Sequence, residues 1–133
     1  MSSKISIIGG GSWGTALAQV AAANIDEVLI YARDQEVVKT INNQSNNFKY
    51  FPDVKLKANI KATNDIKQII DFSEYIILSV PTSATRTVMK KIADKLTQEH
   101  TIISTAKGLE IETFKTNSEI ISEFFNGDIA VLS

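Results

Sequence analysis

Six consecutive residues near the start of the chain, Gly9-Gly10-Gly11-Ser12-Trp13-Gly14, set Gly9, Gly11 and Gly14 in the spacing G-x-G-x-x-G. A turn of this kind that opens a helix can take an anion. The first amide groups of a helix have no partner within it, and its aligned peptide dipoles place partial positive charge there. Each glycine has its own task in that chemistry. Gly9 makes a tight turn, Gly11 lets a pyrophosphate reach the backbone with no Cβ in the way, and Gly14 lets the helix lie close to a strand. A turn kept only for its backbone conformation would show the same letters, but the context favours the ligand. The motif follows the apolar run Lys4 to Ile8, opens the Ala-rich stretch Trp13 to Asn24, and sits inside a strand-helix-strand unit completed by Glu27 to Ala32. These are the conditions under which the motif reads as a dinucleotide site.

The end of the second strand bears on which dinucleotide. NAD sites place an Asp or Glu about 20 residues past the motif, where it accepts from ribose hydroxyls. Here that region reads Ala32-Arg33. A guanidinium can hold a 2′-phosphate through charge-assisted bonds, whereas an acid would repel it. NADP is therefore favoured over NAD, with use of both left open. Asp34 follows at once, so a register shift of two residues would reverse the preference. Arg33 has two other readings, stacking on adenine or lying in solvent as a surface charge.

Farther along, Thr105-Ala106-Lys107-Gly108 falls just after an expected strand, at the sheet edge where open α/β folds hold ligands. The Lys107 ammonium can hold a hydroxyl, carbonyl or phosphate oxygen there, and Gly108 permits close backbone approach. An exposed loop lysine is the plain alternative. Val80-Pro81-Thr82-Ser83 follows another strand, and it either lines the redox end of a bound dinucleotide or merely ends the strand while Thr82 or Ser83 caps the next helix. His100, the one histidine, reads as an ordinary surface residue, and Lys90-Lys91 as part of a solvated helix face. No carboxylate pair or metal-ligand cluster stands out.

The elements that position these residues alternate strand with helix, the signature of an α/β fold. Strands are expected at Lys4 to Ile8, Glu27 to Ala32, Ile60 to Thr63, Tyr75 to Val80, His100 to Thr105 and Ile129 to Leu132. Helices are expected at Trp13 to Asn24, from Asp34 to about Asn42, after Asn64 or Asp65, over Ser83 to Leu96 and over Phe114 to Phe125. Residues 42–59, with an Asn-rich run and then Phe48-Lys49-Tyr50-Phe51-Pro52, read as a loop. The expected class is a Rossmann-type, doubly wound, mostly parallel sheet with helices on both faces. At 133 residues, 44% hydrophobic and 22% charged, the chain fits a single folded domain and not a disordered one. A net charge of -1 supplies no global field for nucleic acid or an anionic membrane, so any anion must be held locally. The absence of cysteine excludes disulfides and thiolate chemistry. With no membrane-length apolar stretch and no leader pattern at Met1, the expectation is a cytoplasmic protein with no membrane span.

Several segments together carry a family likeness. Gly9 to Ala18, Tyr31-Ala32-Arg33-Asp34, Tyr50-Phe51-Pro52, Val80-Pro81-Thr82 and Ala106-Lys107-Gly108-Leu109-Glu110 resemble, in order and spacing, the NAD(P)-dependent glycerol-3-phosphate dehydrogenases of bacterial type. Two departures stand out: Gly10 where the family usually has Ala, and Tyr50-Phe51-Pro52-Asp53 where it has Tyr-Leu-Pro-Gly. The resemblance implies Ser12 and Trp13 at the cofactor phosphates and neighbouring groups, Arg33 at the adenosine phosphate end, Tyr50 and Pro81 as further cofactor contacts, and Lys107 on both cofactor and substrate. It also implies that residues 1–133 are the NAD(P)-binding domain of a longer protein. Beyond Ser133 a Gly-Pro-Ser segment and a helical substrate domain would follow, the latter holding the substrate phosphate and the lysine that takes the hydroxyl proton. The implied reaction interconverts sn-glycerol 3-phosphate and dihydroxyacetone phosphate for glycerophospholipid synthesis. No catalytic base is expected in this chain, and a homodimer of the full-length protein is compatible.

Two rivals remain at this level. One is another NADP-linked dehydrogenase of related fold, such as a ketopantoate or 6-phosphogluconate type, against which the Ala106-to-Glu110 segment argues. The other is a non-catalytic dinucleotide-sensing module, which usually carries an acid where this chain has Ala32-Arg33.

Overall fold

The computed structural model describes residues 2–132. Met1 and Ser133 lie outside the described residues, and with them the expectations attached to the leader-free start and to the stop at Ser133. The elements in chain order are β1 (Lys4–Ile8), α1 (Ser12–Ala21), β2 (Glu27–Tyr31), α2 (Gln35–Gln44), β3 (Ile60–Thr63), α3 (Ile66–Phe72), β4 (Tyr75–Leu78), α4 (Thr82–Ile92) with a 3-10 turn over Ala93–Lys95, β5 (Thr101–Ser104), α5 (Asn117–Ser122) and β6 (Asp128–Val131). All strand pairs are parallel, in the order β3-β2-β1-β4-β5-β6. This is the doubly wound Rossmann order, and the winding reverses between β1 and β4.

Strand periodicity builds the two layers. Side chains alternate across a sheet, so Ile5 and Ile7 of β1, Val28 and Ile30 of β2 and Ile77 of β4 share one face with Ala18 of α1 and with Val37 and Ile41 of α2. Ile8, Leu29, Ile76, Leu78 and Ile102 share the other with Ile69 and Ile70 of α3, Met89 and Ile92 of α4, and Ile121. Ser6 faces this second layer fully buried, and its hydroxyl donates to Ile69 O at 2.7 Å, which removes the cost of an unpaired polar group. Helix starts follow their caps. Asp34 accepts from Glu36 N at 2.9 Å to open α2, and Asp65, not Asn64, accepts from Lys67 N at 3.0 Å to open α3.

The largest difference from sequence expectation lies at residues 114–125. Phe114 is exposed with φ +57°, outside any helix, and α5 begins only at Asn117. Its N-cap is Thr116, whose hydroxyl accepts from Glu119 N while Glu119 accepts from Thr116 N, a complete capping box. Elsewhere the elements are shorter than the apolar runs suggest: α1 stops at Ala21, β4 at Leu78, and α4 at Ile92.

Candidate functional site

The glycine turn leaves β1 by way of Gly9, whose φ of +126° requires glycine and whose N–H donates to Tyr31 O at 3.1 Å. A Cβ at Gly9 would overlap the Ser79 carbonyl, and one at Gly14 would overlap the Gly9 carbonyl. These two glycines therefore let α1, the turn and the end of β4 meet. Gly11 differs, with no heavy atom within 4 Å of where its Cβ would stand. It is the N-cap of α1, makes no side-chain cap bond, and is followed by a first turn free of acids. The amide groups at that helix start thus face open space with nothing to repel an anion.

That space is a crevice along the carboxyl ends of the strands, at the β1/β4 reversal. It consists of two cavities of about 550 and 600 Å³ that share Gly11, Val80 and Pro81. The first is bounded by Ser12, Trp13 and Gly14 on one side and Thr105, Ala106 and Lys107 on the other. The second is bounded by Gly9, Arg33, Asp34, Lys49 and Tyr50. Every residue singled out from sequence, Gly9, Gly11, Ser12, Trp13, Gly14, Arg33, Tyr50, Pro81 and Lys107, lines one or both. Trp13 is 56% exposed, an amphipathic ring held at the mouth of the crevice. A dinucleotide fits this plan, with its pyrophosphate at Gly11 and one nucleotide half in each cavity. The Ser79 hydroxyl is buried beside the turn with no partner among the described residues, an orphaned polar atom at the junction of the two halves.

Two further groups hold the crevice in shape: Asn47, not singled out from sequence, and Thr82, which the sequence offered only as a lining or capping residue. Asn47 is fully buried and donates to Gly10 O at 3.0 Å and Thr15 Oγ1 at 2.8 Å, while its Oδ1 accepts from Tyr50 N at 3.3 Å. It ties the aromatic loop to the glycine turn. Four asparagines lie within residues 42–47, so composition alone gave no sign of which would turn inward. On the other side, Thr82 Oγ1 donates to Lys107 O at 3.0 Å. The N-cap of α4 is Pro81, without a side-chain cap, so the Thr82 hydroxyl serves the Lys107 loop and not the helix start.

That loop is anchored again by charge. Arg86 of α4 donates from Nε and Nη2 to Glu110 at 2.9 Å each, and from Nη1 and Nη2 to Glu123 at 2.8 and 2.9 Å. Lys115 Nζ reaches Glu123 at 2.7 Å. Planar two-point pairing of this kind fixes orientation as well as distance. The Arg86 guanidinium, with the Thr113 hydroxyl, holds the Glu110 carboxyl at about 2, and Arg86 with Lys115 holds Glu123 at about 2, both well below the usual carboxylate range. Arg86 itself is raised, chiefly by its bonds to Glu123 and Glu110. His100 stands apart from the crevice; its Nδ1 accepts from Thr97 N, and its Nε2–H donates to Ile70 O at 3.0 Å. Among the described residues, no cluster of three metal-ligating side chains occurs and no helix is long and apolar enough to cross a membrane.

Comparison with known proteins gives a consistent result. Residues 4–133 match the family described as NAD-dependent glycerol-3-phosphate dehydrogenase N-terminus. The chain is 53% identical over 133 residues to the glycerol-3-phosphate dehydrogenase (NAD(P)+) of Halothermothrix orenii, covering 100% of this chain and 39% of that protein. It is 44% identical over 131 residues to that of Clostridium botulinum strain Eklund 17B, covering 98% and 40%. Among solved structures, the Plasmodium falciparum glycerol-3-phosphate dehydrogenase superposes with a TM-score of 0.89 at 33% identity, over 99% of this chain and 40% of that one. A ketopantoate reductase from Ralstonia eutropha superposes at 0.70 with 18% identity, over 96% and 40%, a likeness of fold alone. The chain spans about 40% of the length of the curated relatives it matches.

Proposed function

The chain belongs to the NAD-dependent glycerol-3-phosphate dehydrogenase N-terminal family, and from that premise we propose that it is the dinucleotide-binding domain of an enzyme that interconverts sn-glycerol 3-phosphate and dihydroxyacetone phosphate with NAD(P)(H). The observation that carries this reading is the crevice itself, in which the Gly11 turn and Lys107 face each other across one cavity. Gly11 and the α1 amides of Ser12 and Trp13 would hold the pyrophosphate, Gly9 and Gly14 the shape of the turn, Arg33 and Tyr50 the adenosine half, and Pro81 the seam between halves. The cofactor, when bound, supplies or accepts hydride at its nicotinamide.

Lys107 would take the substrate oxygen. Its ammonium can hold the oxygen of the reacting carbon and stabilise the negative charge that develops there, and its backbone is fixed by Thr82. One ammonium cannot hold that oxygen, clamp a phosphate and also remove a proton. The base and the phosphate seat therefore belong to the helical substrate domain of the longer protein, which is the reading the roughly 40% coverage of the relatives supports. The relatives' name, NAD(P)+, supports use of either cofactor, and Arg33 favours NADP.

Two measurements test this. NADPH and NADH titrated onto the chain should both bind, NADPH more tightly. The full-length protein should oxidise NADPH when given dihydroxyacetone phosphate and not when given ketopantoate. Loss of the first result removes the cofactor role, and turnover of ketopantoate instead removes the substrate.

A further inference from the structure

The second cavity carries a further cation besides Arg33. Of the residues on its wall, Arg33 and Lys49 are the cations and Asp34 the one acid. Both oxygens of Asp34 are engaged: Oδ1 accepts from Glu36 N at 2.9 Å as the cap of α2, and Oδ2 lies 3.7 Å from Lys49 Nζ. Lys49 Nζ also lies 5.7 Å from the centre of the Tyr50 ring, within cation–π range. The loop bearing both residues is tied to the glycine turn through Asn47. Arg33 makes no ion pair among the described residues.

We propose that Lys49 is the second arm of a two-cation seat for the 2′-phosphate of an NADP-type dinucleotide, with Asp34 as its resting partner. This deepens the cofactor reading above and rests on it. Two cations and one acid leave the cavity wall one positive charge in excess, and a phosphate monoester brings between one and two negative charges at neutral pH. A ribose diol brings none. The Lys49–Asp34 contact joins two groups that are about half exposed, so it is a weak pair that is cheaply exchanged. A phosphate offers three oxygens for shorter, charge-assisted bonds in its place. Asp34 keeps its cap throughout. The opposing assignment, with Asp34 as the acid that accepts ribose hydroxyls in NAD sites, would keep the cap bond and exchange the Lys49 contact for a hydroxyl.

Titration of the chain with NADPH and NADH, by nicotinamide fluorescence, tests the assignment in two variants. Lys49→Met keeps the aliphatic stem and removes the charge. Asp34→Asn keeps a good cap and removes the acid. The expected result for Lys49→Met is NADPH affinity reduced about five- to tenfold with NADH changed less than about twofold. For Asp34→Asn it is NADPH affinity increased with NADH unchanged. Equal losses of both cofactors in Lys49→Met would mean that Lys49 only shapes the loop, and would overturn the assignment. So would a severalfold loss of NADH affinity in Asp34→Asn, the signature of an acid bound to ribose. Should the wild-type chain bind neither cofactor, the dinucleotide reading fails and this inference with it; binding of both with no discrimination by either variant removes the inference alone.

Discussion

Gly11 and Gly14 stand three residues apart in one motif, yet substitution at each acts on a different property. Gly11→Val puts its side chain into open space, so the chain should fold with a loss below about 1 kcal/mol from the changed N-cap. Cofactor binding should vanish, because the isopropyl group fills the pyrophosphate position. Thermal unfolding and cofactor titration on one sample separate the two effects. Gly14→Val instead drives Cβ into the Gly9 carbonyl and should lower stability by about 1–3 kcal/mol or more. Gly10 is a third case, because its Cβ would stand 2.7 Å from Ala32 Cβ. Gly10→Ala, the residue usual in the family, should therefore destabilise this chain by about 1–3 kcal/mol, and Ala32→Gly should recover part of that in the double variant. An additive double-mutant cycle would show that the two positions do not meet. The turn role of Gly9 and the packing role of Gly14 were legible in sequence because spacing within a strand-helix junction dictates them. Asn47 was not, since burial of one asparagine among several depends on a tertiary contact with Gly10 and Thr15.

At the level of elements, the Lys107 loop is held by α4 and α5 through Arg86, Glu110 and Glu123. Glu110 and Glu123 sit at about 2 in the fold against an ordinary 4.5. Their stabilisation is therefore fully present above about pH 4.5 and is lost as pH falls toward 2. Melting curves from pH 5 to 2.5 should show the wild type losing stability more steeply than Glu110→Gln; parallel curves would remove Glu110 from the pH response. Thr116→Ala breaks the capping box of α5 and should cost about 1 kcal/mol, a fall of about 4 °C in Tm. The strands were readable in sequence because alternate residues face two buried layers. The start of α5 was misread because Phe114, Phe124 and Phe125 extend the apolar pattern, while Phe114 in fact lies exposed at positive φ. The signal Thr116-x-x-Glu119 was present and marks the true boundary. Nothing in the letters Pro81-Thr82 revealed that the hydroxyl would turn to Lys107 and leave the helix uncapped.

For the molecule as a whole, the strand order makes the crevice depend on contacts remote in sequence, and the proposed reaction assigns its base and phosphate seat to the longer protein. Orientation of reactants can lower a barrier by about 7–11 kcal/mol, and in the proposed reaction this chain supplies only Lys107 on the substrate side. Dihydroxyacetone phosphate reduction by the chain alone should fall several powers of ten below that of the full-length protein; comparable rates would return the base to this domain. The overall α/β class followed from alternation in the sequence; the order of strands did not, because the right-handedness of parallel crossovers fixes the hand of each connection and not which strands become neighbours. The meeting of β1 with β4 has a kinetic consequence as well. Ser6 pairs with Ile76, so more than half of the chain must be looped out before the crevice exists, and such non-local closure is slow. A dinucleotide added to refolding chain finds no seat until that closure has occurred. NADPH should therefore leave the refolding rate unchanged while slowing unfolding in proportion to its occupancy, so that tight binding shows itself as a longer lifetime of the native state.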